Sequence, residues 1–173
     1  MTWNLDPTHS SIEFSVRHMI IASVKGRFAK FDVDANVDEA NLANSTATVR
    51  IDASSIDTRE TQRDAHLKSA DFFDVETYPE IAFKTTRIEP KGGDYRIEGE
   101  LTVHGVTKPV SLEGEISGPV KDPWGGTRAG LSAEGKINRK QFGLGWNAAL
   151  EAGGFVVGED IKLSVDLELV KAA

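Results

Sequence analysis

Strict alternation of apolar and polar residues is the feature that most limits how this chain can fold. Between Ile161 and Leu169 every second residue is apolar, and the residues between them are lysine, serine, aspartate and glutamate. Successive side chains of a β-strand point to opposite faces of a sheet, so this pattern predicts an antiparallel strand with one buried face and one solvated face. A helix has a period of 3.6 residues and could not collect these apolar side chains on one side.

The same period of two recurs along the chain, separated by turn residues. Further strands are predicted near residues 2–5, 12–18, 31–37, 47–51, 81–85, 95–103, 110–116 and 129–137. Altogether the pattern indicates about eight strands with short connections, which favours an all-β antiparallel meander closing as an eight-stranded barrel. A chain of 173 residues is the size of one domain, and we predict a single domain over residues 1–173.

One segment departs from the alternation. Asp57, followed three residues later by Glu60, forms a capping-box pattern that predicts a helix beginning near Asp57. Asp64 and Lys68 are spaced to form an i,i+4 ion pair on this helix. The stretch Arg63–Phe73 contains few apolar residues before its two terminal phenylalanines. We therefore expect a short helix that caps one end of the barrel.

The composition argues against thiol chemistry, nucleic-acid binding and membrane-spanning helices. The chain has no cysteine, which excludes disulfides, cysteine-ligated metals and thiol catalysis. A net charge of −7 without any basic run argues against a nucleic-acid partner. No apolar run approaches the roughly 20 residues that a membrane-spanning helix needs. The first ten residues lack the pattern of a secretory signal, so the expected location is the cytoplasm.

No catalytic, metal or cofactor motif stands out. The nucleophile elbow, the P-loop, the dinucleotide fingerprint and the zinc-protease motif are all absent. The four histidines, His9, His18, His66 and His104, lack the close spacing of a metal site. We predict no cofactor, no metal and no catalytic residue. The alternative is an enzyme that acts on a hydrophobic small molecule, with His18 or His66 as the acid or base.

Small residues recur on the predicted inward faces of three strands. They are Gly99, Gly114, Ala129, Ala133 and Gly135. An eight-stranded barrel is either filled by side chains or holds one small ligand. These residues therefore either leave room for a cavity or mark bends in the strands. A solid-core interaction module without a pocket remains a third alternative.

A cavity here would have an apolar wall that suits a hydrocarbon better than a sugar or a nucleotide. Phe72 and Phe73 follow the capping helix, which would act as a lid, and are expected to reach the lumen from there. His18 shares the inward parity and would mark the polar end, unless it is an ordinary histidine at the rim. The residues predicted to contact the ligand are Phe14, Val16, His18, Phe28, Phe31, Val33, Val49, Ile51, Phe72, Phe73, Phe83, Ile97, Leu101, Leu112, Leu131, Leu163 and Val165.

Several motifs, taken in order, resemble the YceI-like, polyisoprenoid-binding family. They lie at Trp3–Ser10, Phe14–His18, Lys25–Phe28, Arg63–Phe73, Tyr78–Phe83, Gly99–Lys108 and Phe142–Gly143. The resemblance implies a lipocalin-like, eight-stranded antiparallel barrel with a helix at one end. It also implies binding, storage or transport of a long isoprenoid lipid or quinone rather than catalysis. If the ends of the barrel are open, their apolar rims could pack against a second copy, so a homodimer is a further expectation.

Overall fold

The computed structural model of the protein describes residues 2–19, 21–146 and 157–172. Its strands and its helix α1 follow one another with short connections. They are β1 Thr2–Leu5, β2 Ser11–His18, β3 Ala22–Phe28, β4 Phe31–Asn36, β5 Thr46–Asp52, β6 Ile56–Asp57, α1 Thr61–Lys68, β7 Glu80–Lys91, β8 Asp94–Val103, β9 Val106–Lys121, β10 Thr127–Asn138 and β11 Val157–Lys171. Short 3₁₀ turns occur at Pro7–His9, Leu42–Asn44, Ala53–Ser55 and Arg139–Phe142.

The antiparallel sheet closes on itself. Its strands run in the order β1, β4, β5, β7, β8, β9, β10 and β11, and β11 pairs back to β1. β2 pairs with the first half of β11, and β3 and β6 continue the sheet from there. β1 with β2, β3 with β4 and β5 with β6 therefore each act as one interrupted barrel strand. The predicted eight-stranded antiparallel barrel with one helix is confirmed.

The two ends of the barrel differ. At the closed end, where β1 pairs with the last residues of β11, the Trp3 side chain is only 1% exposed and lies opposite Ala35. The opposite end, called the lid end, is covered by α1, by residues 69–75 and by the 139–142 turn. The β2–β3 hairpin and the start of β11 are also at the lid end, because Val157 pairs with His18. No helix within the described ranges is long and apolar enough to cross a membrane.

The helix starts later than the capping pattern predicted. α1 begins at Thr61, and Glu60 is its N-cap, with a carboxylate that accepts hydrogen bonds from the backbone N–H groups of Gln62 and Arg63. Asp57 instead lies in β6, which pairs with β3. The predicted start at Asp57 was wrong because Asp57 pairs with Arg27 of β3 and is therefore part of a strand.

The Asp64 side chain also has a different partner from the one predicted. Its carboxylate accepts a hydrogen bond of 2.9 Å from the backbone N–H of Thr58 and another from the Thr58 hydroxyl. The Arg63 guanidinium in turn donates to the Thr58 hydroxyl and carbonyl oxygens, at 2.7 Å and 2.6 Å. These bonds fasten the start of α1 to the segment after β6 and replace the expected pair with Lys68.

Two glycines let aromatic rings lie along the barrel wall. A Cβ at Gly99 would collide with the ring of Phe83, and a Cβ at Gly26 would collide with the ring of Phe14. Each ring thus covers its glycine and stays out of the middle of the lumen, which connects these glycines with a cavity. Gly114 is different, because its Cβ would meet the backbone of β10, so there the close approach of two strands requires glycine.

Candidate functional site

The interior of the barrel contains a cavity of about 190 Å³. Its wall includes apolar side chains from most of the strands, together with Leu67 of α1 and Leu144 after the 139–142 turn. Among the residues that the structure describes, Thr85 and Arg139 are the polar members of this wall. The Thr85 hydroxyl oxygen already accepts a hydrogen bond of 2.9 Å from the backbone N–H of Ala47. A molecule in this cavity would therefore be held mainly by apolar contacts.

Most of the predicted contact residues lie in the cavity wall. Those that do are Phe14, Val16, Phe28, Val49, Ile51, Phe72, Phe73, Phe83, Ile97, Leu101, Leu112, Leu131, Leu163 and Val165. The alternation placed them correctly because it fixes which side chains of a strand face inward. Their contact with a ligand stays a prediction.

Three predicted residues lie outside the cavity wall. Phe31 and Val33 of β4 pack with the hydrophobic core and do not border the void. They lie opposite Ile51 and Val49 of β5, which do border the void. His18 is the last residue of β2, at the rim of the lid end, and is also absent from the wall. The alternation predicted that the His18 side chain faces inward, but its position at the end of β2 places it beyond the cavity.

Arg139 is a lining residue that was not among the predicted contacts. Its side chain is almost completely buried, and burial lowers the pKa of the guanidinium. Nε donates to the carbonyl of Gly158 at 2.8 Å, Nη1 donates to those of Leu144 and Trp146 at 2.5 and 2.9 Å, and Nη2 donates to that of Val157 at 3.3 Å. All four acceptors are main-chain carbonyls, and the negative charge of Glu159 also favours the charged guanidinium.

A sequence signal for Arg139 does exist. Arg139 continues the inward parity of Gly135 and Ile137 beyond the end of β10. In the structure its guanidinium joins the two flanks of the connection between β10 and β11. Gly153 and Gly154, an adjacent pair that in the sequence indicates either an ordinary turn or a loop able to gate an opening, fall outside the described residues.

Aromatic side chains form the inner side of the lid. The Phe72 ring lies with its centroid 5.2 Å from that of His66 and 5.4 Å from that of Trp146. The Arg139 guanidinium carbon lies 6.0 Å from the centroid of the same ring. Phe73 makes an edge contact with Phe28 of β3, at 6.0 Å between centroids. The lid is thus tied to the barrel by the two side chains predicted to reach the lumen.

His66 lies on the outer side of this cluster. Its Nε2 is 2.8 Å from a carboxylate oxygen of Asp71, and its ring stands edge-on to Trp146 with centroids 4.7 Å apart. His66 is not among the residues of the cavity wall. A ligand inside the barrel would therefore not meet this imidazole in the conformation described.

A separate group of Asp6, His9 and Glu168 has the geometry of a metal-ligand set within the described part of the chain. Its carboxylates are already paired, because Arg128 Nη1 lies 2.9 Å from Asp6 and 2.7 Å from Glu168. The pKa of the Asp6 carboxyl lies well below its usual range. The largest cause is the hydrogen bond from the Thr8 hydroxyl, followed by those with His9 and Arg128. The group is an ion-pair network that ties β10 and β11 to the first 3₁₀ turn.

The sequence profile of the YceI-like domain matches residues 3–169. This chain belongs to the YceI-like family. Its relatives include Protein YceI of Escherichia coli, which is 43% identical over 136 residues, or 79% of this chain and 71% of that protein.

Solved structures share the YceI-like barrel. The crystal structure of Burkholderia cenocepacia BcnA matches with a TM-score of 0.83 at 22% identity, over 95% of this chain and 99% of that one. A Saccharophagus degradans domain, described as polyisoprenoid-binding and implicated in plant cell wall breakdown, matches with a TM-score of 0.67 at 16% identity, over 96% and 97%. At these identities the two structures show a common fold.

Proposed function

We propose that this YceI-like protein binds the apolar part of a polyisoprenoid, an isoprenoid quinone or a similar lipid inside its barrel, for storage or transport. The observation that carries the proposal is the cavity inside the barrel, whose wall is apolar among the described residues except for Thr85 and Arg139. Each hydrocarbon CH₂ that leaves water contributes about 0.8 kcal/mol before the costs of binding. The description of the S. degradans domain as polyisoprenoid-binding supports the choice of ligand class.

The size of the cavity limits what fits without movement. A dry apolar cavity of about 150 Å³ holds one benzene molecule, whereas sites for drug-sized ligands are about 300–1,000 Å³. At about 190 Å³ the closed barrel has room for only a short piece of a prenyl chain. A longer chain requires the lid end to open, and Phe72 and Phe73 are the side chains that it would displace.

Prenyl alcohols of increasing length test this proposal. Titration of the protein with geraniol, farnesol and geranylgeraniol, followed by tryptophan fluorescence, measures affinity against the number of isoprene units. We expect affinity to rise by about tenfold or more per unit until the lumen is filled, because each unit buries several CH₂ groups. Absence of binding, or an affinity independent of chain length, would contradict the proposal.

The two alternatives to a lipid-binding protein are a solid-core interaction module and an enzyme. A solid-core module would have no internal cavity, and the cavity contradicts it. An enzyme with a histidine acid or base would have to use His66, whose Asp71 partner holds the ring, or the rim residue His18. Neither imidazole borders the cavity. Homodimerisation, the lack of a nucleic-acid partner and a cytoplasmic location stay predictions.

A further inference from the structure

The β2–β3 hairpin exposes apolar side chains at the lid end of the barrel. Met19 is 42% exposed and Ile21 is 83% exposed. Single exposed apolar residues are ordinary on protein surfaces. These two are informative because of the charged surface that lies next to them.

A row of cations crosses the outer face of the barrel just behind this hairpin tip. Strand register aligns Lys162 of β11 with Ser15 of β2, and Ser15 with Lys25 of β3. Arg59, which follows β6, lines the same open groove of about 390 Å³. We call Lys162, Lys25 and Arg59 the basic row. Within the described part of the chain, none of these three forms an ion pair.

Two acidic residues of this face, Glu159 and Asp160, precede Lys162 on β11 and form ion pairs with Lys140 and Lys136. The other acidic residues lie one row further from the tip. Register aligns Glu13 with Arg27, and Arg27 with Asp57. The Arg27 Nε is 3.4 Å from a carboxylate oxygen of Asp57, so part of this second row is internally paired. The protein as a whole carries a charge of −7. Unpaired positive charge is therefore concentrated between the apolar tip and the paired row.

We propose that this face docks on an anionic lipid bilayer, with Ile21 and Met19 entering the interface and the basic row meeting the lipid phosphates. Lys25 lies four residues from Ile21, or about 13 Å along an extended strand. Interfacial protein segments bury their apolar side chains about 5–10 Å deep, and lysine side chains extend along the surface toward polar groups. Tip and row are thus spaced to meet the acyl boundary and the headgroups together.

A bilayer fits this face better than a soluble anion does. The groove could attract free phosphate, but the apolar tip would then have no partner. Docking in this orientation would bring the lid end, where the cavity is covered, against the membrane. The inference rests on side chains outside the barrel, so it does not depend on which ligand occupies the lumen.

Vesicle co-sedimentation of the full chain tests the inference. We expect binding to vesicles of phosphatidylcholine mixed with phosphatidylglycerol, weaker binding to phosphatidylcholine alone, and a loss of binding at high salt. A double variant, Lys25→Gln with Lys162→Gln, should lower partitioning about 25-fold, or about fivefold per cation. Ile21→Ser should lower it about tenfold or more.

The closed end supplies matched controls. Trp124 is 84% exposed, and Lys121 at the end of β9 is an exposed lysine that, like the basic row, forms no ion pair with the described residues. Trp124→Ser and Lys121→Gln should leave partitioning unchanged. The inference is overturned if the wild type ignores anionic vesicles, if the hairpin variants bind as it does, or if the controls lose binding equally. Full competition by inorganic phosphate would also overturn it and indicate a soluble-anion site. Farnesol titration of the same variants separates a failure of docking from a failure of the cavity.

Discussion

Truncation of Phe72 should open the lid and speed the release of a bound lipid. The Phe72 side chain is 6% exposed and packs against the rings of His66 and Trp146 and the guanidinium of Arg139. Replacing a buried phenylalanine by alanine costs about 3–5 kcal/mol, from lost burial and from the void that remains. Phe72→Ala should therefore lower the melting temperature by about 6–20 °C, at about 2–4 °C per kcal/mol for a chain of this length.

The free energy lost in Phe72→Ala also determines how much faster the ligand should be released. If about 2 kcal/mol of that cost falls on lid closure, the open population rises about 30-fold, since 1.4 kcal/mol corresponds to a factor of ten. Release of farnesol, followed by stopped-flow tryptophan fluorescence after dilution, should accelerate by a similar factor. Adding Phe73→Ala removes the edge contact with Phe28 and should accelerate release further.

His66→Ala is the matched control. His66 belongs to the same cluster but is partly exposed, and its bond to the exposed Asp71 contributes about 0–1 kcal/mol. Its removal also loses the edge contacts with Phe72 and Trp146, so we expect His66→Ala to accelerate release, but less than Phe72→Ala does. If His66→Ala accelerated release as much as Phe72→Ala, burial of Phe72 would not be the main contact that holds the lid closed, and a role for His66 in ligand chemistry would regain support.

Three further predictions follow from the cavity and the ion pairs. Leu131→Trp should fill part of the cavity and weaken farnesol binding about tenfold or more in a fluorescence titration, at a stability cost of about 1–3 kcal/mol. Arg139→Met should lower the free energy of unfolding in urea by about 3–5 kcal/mol because buried carbonyls lose their donors, whereas Lys140→Met at the exposed neighbour should cost less than about 1 kcal/mol. The hydrogen bond from Arg128 is the largest cause of the lowered pKa of Asp122. The contact therefore stabilises the folded protein fully above the unfolded pKa of about 3.9, and this stabilisation is lost as the pH falls through the folded pKa. Arg128→Gln should reduce the drop in melting temperature below pH about 4.

Each of these predictions has a clear counter-result. Val120→Trp places the same bulk on an exposed residue and should leave farnesol affinity unchanged; equal loss in both tryptophan variants would show that the cavity is not the binding site. Equal unfolding free energies for Arg139→Met and Lys140→Met would mean that the carbonyl contacts contribute little. An unaltered acid dependence in Arg128→Gln would assign the acid sensitivity to other carboxyl groups.

The wall of the cavity was largely predictable because inward or outward orientation is a local property of a strand. Alternation placed Phe14, Leu101 and Leu163 in the wall from their own segments alone. It carries no information on height along the barrel axis. His18 therefore had the right parity but lies at the rim, beyond the cavity.

Features that depend on distant segments were not predictable from local patterns. The start of α1 was misplaced because pairing of Asp57 with β3 competes with the capping pattern. Ring closure depends on Trp3 of β1 pairing with Lys171 of β11, almost the whole chain away. Arg139 was missed because a buried arginine is tolerated only where carbonyls converge on it, and those carbonyls belong to residues after the 139–142 turn.

Mass spectrometry of the protein purified from its own host tests the central claim most directly. Native spectra, followed by organic extraction, should show a hydrophobic lipid bound to the wild type in about one equivalent, because an eight-stranded barrel has room for one small ligand in its lumen. The Leu131→Trp variant, prepared in the same way, should carry much less. A wild type that contains no lipid, with a lumen filled by its own side chains in a crystal structure, would contradict the claim.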